Sequence, residues 1–289
     1  MKRSYKIADI VIQLVTDFDF VEDDKYTLFT ERCNQKPDYI IHFQSVSKEI
    51  DLGDFQFQLG EHGYYQGTQG LIEAQWRNAA KEEFRWLFMN DSKEYPVSWV
   101  CKYLKKDEGM FRSTSVLFRH IGFNVILDRI KALFLHCSFI SVENKAILFS
   151  GPSGIGKSTQ ADLWSKYEDA DVLNGDRAII RIDHGVLKAY GLPYAGSSNI
   201  YRNESCPLGT IVILDQALNN EVFRLSRSQA FRVIFSEIFQ SYASRYLQSS
   251  ALDILEDVVN SVPVFFLRCR PEKEAVQLLK SVLLKEGIL

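Results

Sequence analysis

One octapeptide restricts this chain more than any other feature. Gly151-Pro152-Ser153-Gly154-Ile155-Gly156-Lys157-Ser158 fits the pattern G-x-x-x-x-G-K-[ST] at every position. Before it, Ala146 to Phe149 is a continuous apolar run of the kind that makes a buried strand. After it, Thr159 to Ser165, with Ala161, Leu163 and Trp164, can begin a helix. Strand, glycine loop, helix is the setting that such a loop requires. The glycines let successive backbone N–H groups turn inward and approach an anion closely, and the helix N-terminus adds its positive dipole end. The residues from Gly151 to Thr159 are therefore expected to cradle the phosphates of a nucleoside triphosphate. Lys157 would reach the β and γ phosphates, and the Ser158 hydroxyl would serve Mg²⁺.

The surrounding order agrees with that setting: strand, strand, loop, helix, three strands, helices, strand, helix. It reads as an α/β domain with helices packed on a sheet. Val264 to Leu267 is a late buried strand, and Val276, Leu279 and Leu283 share one face of a helix that starts after Glu272. Upstream, Leu117, Ile121, Val125, Leu127 and Ile130 recur at helical spacing and predict one helix over Val116 to Phe134. The first hundred residues differ. Ile7 to Val15 and Tyr39 to Val46 read as strands, and Phe55, Phe57 and Leu59 alternate with Gln56 and Gln58. This predicts an α+β domain, mostly antiparallel β. The charged, glycine-ended stretch Lys105 to Gly109 marks the boundary. The expected organisation is a β-rich accessory or substrate-binding domain over 1–110 and a P-loop domain over 111–289.

A formal net charge of -3 gives no electrostatic reason to expect nucleic acid or an anionic membrane as partner. Five scattered cysteines, none in C-x-x-C spacing, argue against a disulfide framework or a structural zinc site. The N-terminus reaches Asp9 without a secretory apolar region, and no apolar run approaches the ~20 residues of a membrane helix. The expected location is cytoplasmic, and a homo-oligomer is compatible with the sequence. The acidic stretch Asp17 to Asp24 lacks the glycine and terminal glutamate of an EF-hand loop. It reads as a solvated turn, with Phe18 and Phe20 as core residues.

A phosphate loop needs a carboxylate for its metal, and two are available. Asp176 ends the short run Val172-Leu173-Asn174-Gly175-Asp176. Asp215 ends Ile211-Val212-Ile213-Leu214, and strand pattern alone favours it. A histidine joins them through a register argument. Leu133 to Ile140 and Ala146 to Ser150 form a hairpin pattern around Ser141 to Lys145. A turn centred on Glu143 and Asn144 puts Ser150 opposite Cys137 and Gly151 opposite His136. The imidazole then stands at the mouth of the loop, where it can take a proton or orient a carboxylate.

Four segments together, Leu135-His136-Cys137, Ser150 to Thr159, Asn174-Gly175-Asp176-Arg177 and Gly191-Leu-Pro-Tyr-Ala-Gly196, make the chain similar to HPr kinase/phosphorylase. It looks still more like the stand-alone HPr-kinase-related proteins, some of which accompany modified-peptide pathways. The resemblance runs roughly from His136 to Asp215 and implies the core shared with phosphoenolpyruvate carboxykinases. It implies roles for His136, Lys157 and Ser158 and selects Asp176 over Asp215 as the acidic partner. The family's Asp-Asp pair, whose first member is the proton-accepting base, falls on Gly175-Asp176, so glycine stands where the base would be. Glu204 is a loose counterpart of the family's later glutamate, and the Arg-Gly signature that normally follows is absent.

The expected activity is transfer of the γ-phosphoryl group of ATP to a hydroxyl, a serine of a peptide or small protein. Lys157, His136 and Asp176 would be catalytic, Ser158 and Asp176 would bind Mg²⁺, and Arg177 and Arg202 would be candidate phosphate or substrate contacts. Two alternatives stand beside it: a nucleotide-gated binding protein impaired by Gly175, and a small-molecule kinase.

Overall fold

The computed structural model describes residues 1–194, 196–238 and 245–289, with side chains described for all of these but 197 and 245–250. Ala195, within the Gly191 to Gly196 motif, therefore lies outside the described residues. The chain divides into two compact units, Met1–Phe123 and Asn124–Leu289. Among the described residues no helix is long and apolar enough to cross a membrane.

The first unit is built on eight strands: β1 (Lys2–Ile7), β2 (Ile10–Val15), β3 (Tyr39–Val46), β4 (Asp54–Leu59), β5 (His62–Gly67), β6 (Gly70–Trp76), β7 (Glu83–Asn90) and β8 (Val97–Leu104). Two short helices accompany them, α1 (Asp24–Thr27) and α2 (Thr114–Arg119). The strands form one sheet in the order β1-β2-β3-β8-β7-β6-β5-β4. Its pairings are antiparallel except β2–β3 and β3–β8, which run parallel, so the sheet is mixed. Parallel pairing needs long connections, and the segment between β2 and β3 supplies one. Phe20 is buried within it, and Phe18 meets Tyr103 edge to face.

Two expectations change here. Ile7 to Val15 is not one strand but parts of a hairpin, because Ala8 (φ 51°) and Asp9 (φ 59°) form a tight turn with both residues left-handed. The helix expected over Val116 to Phe134 is also broken. Gly122 stands at φ 63° and separates α2 from a second short helix, α3 (Phe123–Arg129). A β-carbon at Gly122 would lie 2.8 Å from Leu87 Cδ2, so the break is tied to close packing.

The second unit continues from α3 with β9 (Ala132–Val142), β10 (Lys145–Ser150), α4 (Lys157–Glu168), β11 (Asp171–Asn174), β12 (Arg177–Asp183), β13 (Val186–Tyr190), β14 (Ser205–Gln216), β15 (Glu221–Arg224), α5 (Arg227–Glu237), α6 (Arg245–Ser261), β16 (Val264–Cys269) and α7 (Lys273–Lys285). The long strands β9 and β14 each serve three partners, and β11 is the third for β9. β9 pairs with β12 through Ala132 to His136 and with β10 through Cys137 to Val142. β14 pairs with β13 at its start, then parallel with β10 and β16. Strands β10, β9, β12, β13 and β14 thus close on one another.

Helices cover both faces of the β10–β14–β16 region. Ala146, Leu148, Ile211 and Ile213 pack in one core with Ala230 and Ile234 of α5 and Ile254, Leu255 and Val258 of α6. Ile147, Phe149, Val212 and Leu214 pack in the other with Ala161 and Trp164 of α4 and Val276, Leu279 and Leu283 of α7. Strands buried on both faces read as unbroken apolar runs, which is why Ala146 to Phe149 and Ile211 to Leu214 carry no polar alternation.

Candidate functional site

The site begins where β10 ends. Gly151 (φ 141°), Gly154 (φ 80°) and Gly156 (φ 110°) all lie at positive φ, which L side chains rarely adopt. Gly156 is the N-cap of α4, and Lys157 is the first helical residue. Crowding adds to the conformational demand at Gly151, whose β-carbon would approach Ile155 Cγ2 at 3.3 Å and the Leu214 carbonyl at 3.4 Å. Ile155 is partly buried against the core beneath α4 and pins the loop to the sheet. Pro152, Ser153 and Gly154 are exposed, as are Ser158 and Thr159 in the first turn of the helix. The loop is thus a solvent-facing rim of backbone at the N-terminus of a twelve-residue helix, an anion-binding geometry.

Lys157 is 8% exposed and folds back over the loop. Its Nζ donates to the Gly151 carbonyl at 2.8 Å and the Pro152 carbonyl at 3.0 Å. Burial depresses its pKa, against the opposing charges of Glu237, Cys137 and Asp176. These two carbonyl bonds are ones that a phosphate oxygen can replace.

The hairpin register is the one the sequence implies. Ser150 lies opposite Cys137, and Glu143 (φ 47°) and Asn144 (φ 60°) make the turn. The ladder stops at the Ser150–Cys137 pair, so the expected Gly151–His136 pairing is not made; instead the Ser150 hydroxyl donates to the His136 carbonyl at 2.9 Å, which ties the end of β10 to the residue just beyond the ladder. His136 shares its face of β9 with Ile140, the face covered by α4. Its Nε2 lies 3.7 Å from Asp176 Oδ1. Its Nδ1 lies 3.8 Å from Glu237 Oε2. Burial lowers the His136 pKa, reinforced by the Lys157 charge and opposed by Asp176.

Asp176 owes its position to Asn174, which is fully buried. The Asn174 Oδ1 accepts from the backbone N–H of Asp176 at 2.9 Å and of Arg177 at 3.0 Å. Its Nδ2 donates to the carbonyls of Leu192 and Tyr194, each at 2.9 Å. A single amide therefore holds the Asp176 turn and the segment after β13 together. Arg177 donates from Nε to Asp176 Oδ2 at 2.7 Å, and its guanidinium lies 5.5 Å from the Phe134 ring centroid and 6.0 Å from that of Tyr194. Gly196 (φ 55°) closes over the carboxylate: a β-carbon there would sit 3.0 Å from Asp176 Oδ1.

Asp215 is the penultimate residue of β14, which runs parallel to β10, and faces Arg268 at 3.5 Å. Arg202 and Glu204 lie elsewhere on the surface, where Arg202 bonds Asp171 at 3.1 Å. Lys157, His136 and Asp176 are thus brought together, while Asp215, Arg202 and Glu204 have other partners. Glu237, at the end of α5, is the residue that sequence reasoning missed. Burial raises its pKa, against the attraction of Lys157.

Among the described residues no group of three or more His, Cys, Asp or Glu is arranged to hold a metal ion alone. The Ser158 hydroxyl and the Asp176 carboxylate are hard oxygen donors, suited to a magnesium ion whose shell is completed by phosphate and water. The open, positive-φ glycine rim fits a polyphosphate in the same way: β-carbons at Gly154 and Gly156 would meet nothing within 4 Å, so space above the loop is free.

No protein-family model matches the chain, and no curated protein is matched by it. Among solved structures it is similar to the Hpr(Ser) kinase/phosphatase from Coxiella burnetii. The sequence identity is 13%, the TM-score is 0.30, and the match covers 53% of this chain and 89% of that one.

Proposed function

We propose that the second unit binds ATP with Mg²⁺ and passes the γ-phosphoryl group to a hydroxyl, the serine of a peptide or small protein. The observation that carries this reading is the meeting of Lys157, His136 and Asp176 at the mouth of a glycine loop that opens a helix. The loop N–H groups would bind the phosphates, and Lys157 would exchange the Gly151 and Pro152 carbonyls for β and γ oxygens. Ser158 and Asp176 would hold Mg²⁺, whose chemistry is to bridge and neutralise phosphate oxygens. His136 or Asp176 would accept the hydroxyl proton as the new O–P bond forms and the bond to the ADP leaving oxygen breaks. The peptide or protein acceptor rests on the sequence resemblance. In this reading Met1–Phe123 is the accessory or substrate-binding part, and an edge strand such as β4 can pair with an extended peptide. A chain without it is expected to bind ATP but not the peptide.

The test is transfer of labelled γ-phosphate from Mg-ATP to peptides and proteins of a source-cell lysate. Lys157→Ala should reduce labelling by about 10²–10³-fold, the usual cost of removing one preorganised donor to developing charge, with the fold intact by circular dichroism. Wild-type labelling by a folded Lys157→Ala protein would sink the mechanism. Gly175 favours a second reading, a nucleotide-gated binding protein without transfer, because the turn offers one carboxylate where the resembled family has two. ATP-dependent partner binding with no phosphate on the partner by mass spectrometry would select it.

A further inference from the structure

Glu237 reaches the site through an exchange of neighbours along β9. Up to Cys137 that edge of β9 is occupied by β10. Beyond Ser150 the chain leaves the sheet to make the glycine loop, and the place beside β9 is taken by the end of α5. Ile238 forms an antiparallel bridge with Leu135, and its side chain joins the core that contains Leu135. Its backbone has turned extended there (φ -71°, ψ 118°), which stops α5 at Glu237. That bridge brings Glu237, the last residue of α5, beside His136, with Glu237 Oε2 3.8 Å from His136 Nδ1. The carboxylate and the imidazole are neighbours by construction, at the point where the loop begins.

The two carboxylates beside His136 are not equivalent. Asp176 has Oδ2 bonded to Arg177, and its backbone is fixed by Asn174. Glu237 makes no hydrogen bond among the described residues, and its side chain is 14% exposed. A neutral imidazole has one N–H to give, and the partner of one ring nitrogen decides what the other can do. From this geometry we infer that Glu237 is a positioning residue that accepts the Nδ1 proton of His136 and leaves Nε2 as a proton acceptor facing Asp176. Two acceptors, Nε2 and Asp176 Oδ1, then stand 3.7 Å apart. A hydroxyl of the phosphoryl acceptor, standing to one side of the pair, can give its one proton to Nε2.

Only the kinetic arm of the test rests on the phosphotransfer reading. ¹⁵N-histidine NMR of the full chain is expected to report His136 as the Nδ1–H tautomer, and Glu237→Ala to shift it toward Nε2–H. Kinetically, Glu237→Ala should lower kcat by about 10- to 100-fold, the size seen for partners that orient metal-bound histidines, with the KM for ATP unchanged. Glu237→Gln keeps an acceptor oxygen and the side-chain length. It should retain the tautomer and recover part of kcat, which separates positioning from a folding defect. If the wild-type chain transfers no phosphate, the functional reading fails, while the tautomer measurement still decides the role of Glu237. An unchanged tautomer in Glu237→Ala, or an unchanged kcat in an active enzyme, overturns the inference.

Discussion

Replacing Asn174 by alanine should cost more than any other single polar substitution around the site. The side chain is fully buried and makes four hydrogen bonds, two as acceptor from the N–H groups of Asp176 and Arg177 and two as donor to Leu192 and Tyr194. At about 1 kcal/mol net for each bond, the loss is about 4 kcal/mol, a large part of the stability of a typical domain. Urea denaturation of wild type and variant gives the difference. Amide exchange read on peptides from β11, β12 and the segment after β13 tells whether the loss is local. Asn174→Asp sharpens the test. It keeps the acceptor oxygen but turns a second oxygen toward two carbonyls, so it should be no milder than alanine. A loss under about 1 kcal/mol for Asn174→Ala would refute the reasoning, and so would a milder Asn174→Asp. Activity should follow the fold here, because the same amide orients the Asp176 backbone.

Gly196→Ala should act on Asp176 with little effect elsewhere. Its β-carbon would meet Asp176 Cβ at 2.8 Å, and the left-handed φ of 55° adds about 1–2 kcal/mol of strain, so the Mg²⁺ concentration for half-maximal transfer should rise. Gly175→Asp places a second carboxylate next to Asp176 and should raise the transfer rate; a fall in rate from a folded variant would show that the turn needs glycine for shape. Glu237→Gln should make the protein slower but no less stable at neutral pH. Burial raises the Glu237 pKa, so the folded state binds this proton more tightly than the unfolded chain does. The stability contributed by this group is full below the ordinary carboxylate pKa and lost as pH rises through the raised one. Melting temperatures of parent and Glu237→Gln, compared upward from about pH 4, should move apart in the variant's favour.

The parts of this molecule that were legible in its sequence are those set by local spacing. The strand–loop–helix around Gly151 to Ser158 is contiguous, and its glycines adopt the positive φ values that make them necessary. His136 was legible because a two-residue turn at Glu143 and Asn144 fixes the register, and register carries position as far as the strand continues. The helix through Gly122 was misread because apolar spacing survives a glycine break, and the amino-terminal hairpin was missed because Ala8 and Asp9 carry no glycine signal. Glu237 had no local signal at all. It lies about a hundred residues from His136 in sequence, on a helix whose pattern reports only the core it covers. Its place follows from a tertiary event, the departure of β10 from β9 at Ser150 and the arrival of Ile238 in its stead. That dependence has a consequence for the site. The same departure that creates the glycine loop opens the edge that admits the carboxylate, so the glycine loop and the Glu237–His136 pair arise from one feature of the fold. A substitution that frees Ile238 from Leu135, such as Ile238→Asp, should therefore remove Glu237 from His136 while leaving Lys157 on its loop carbonyls.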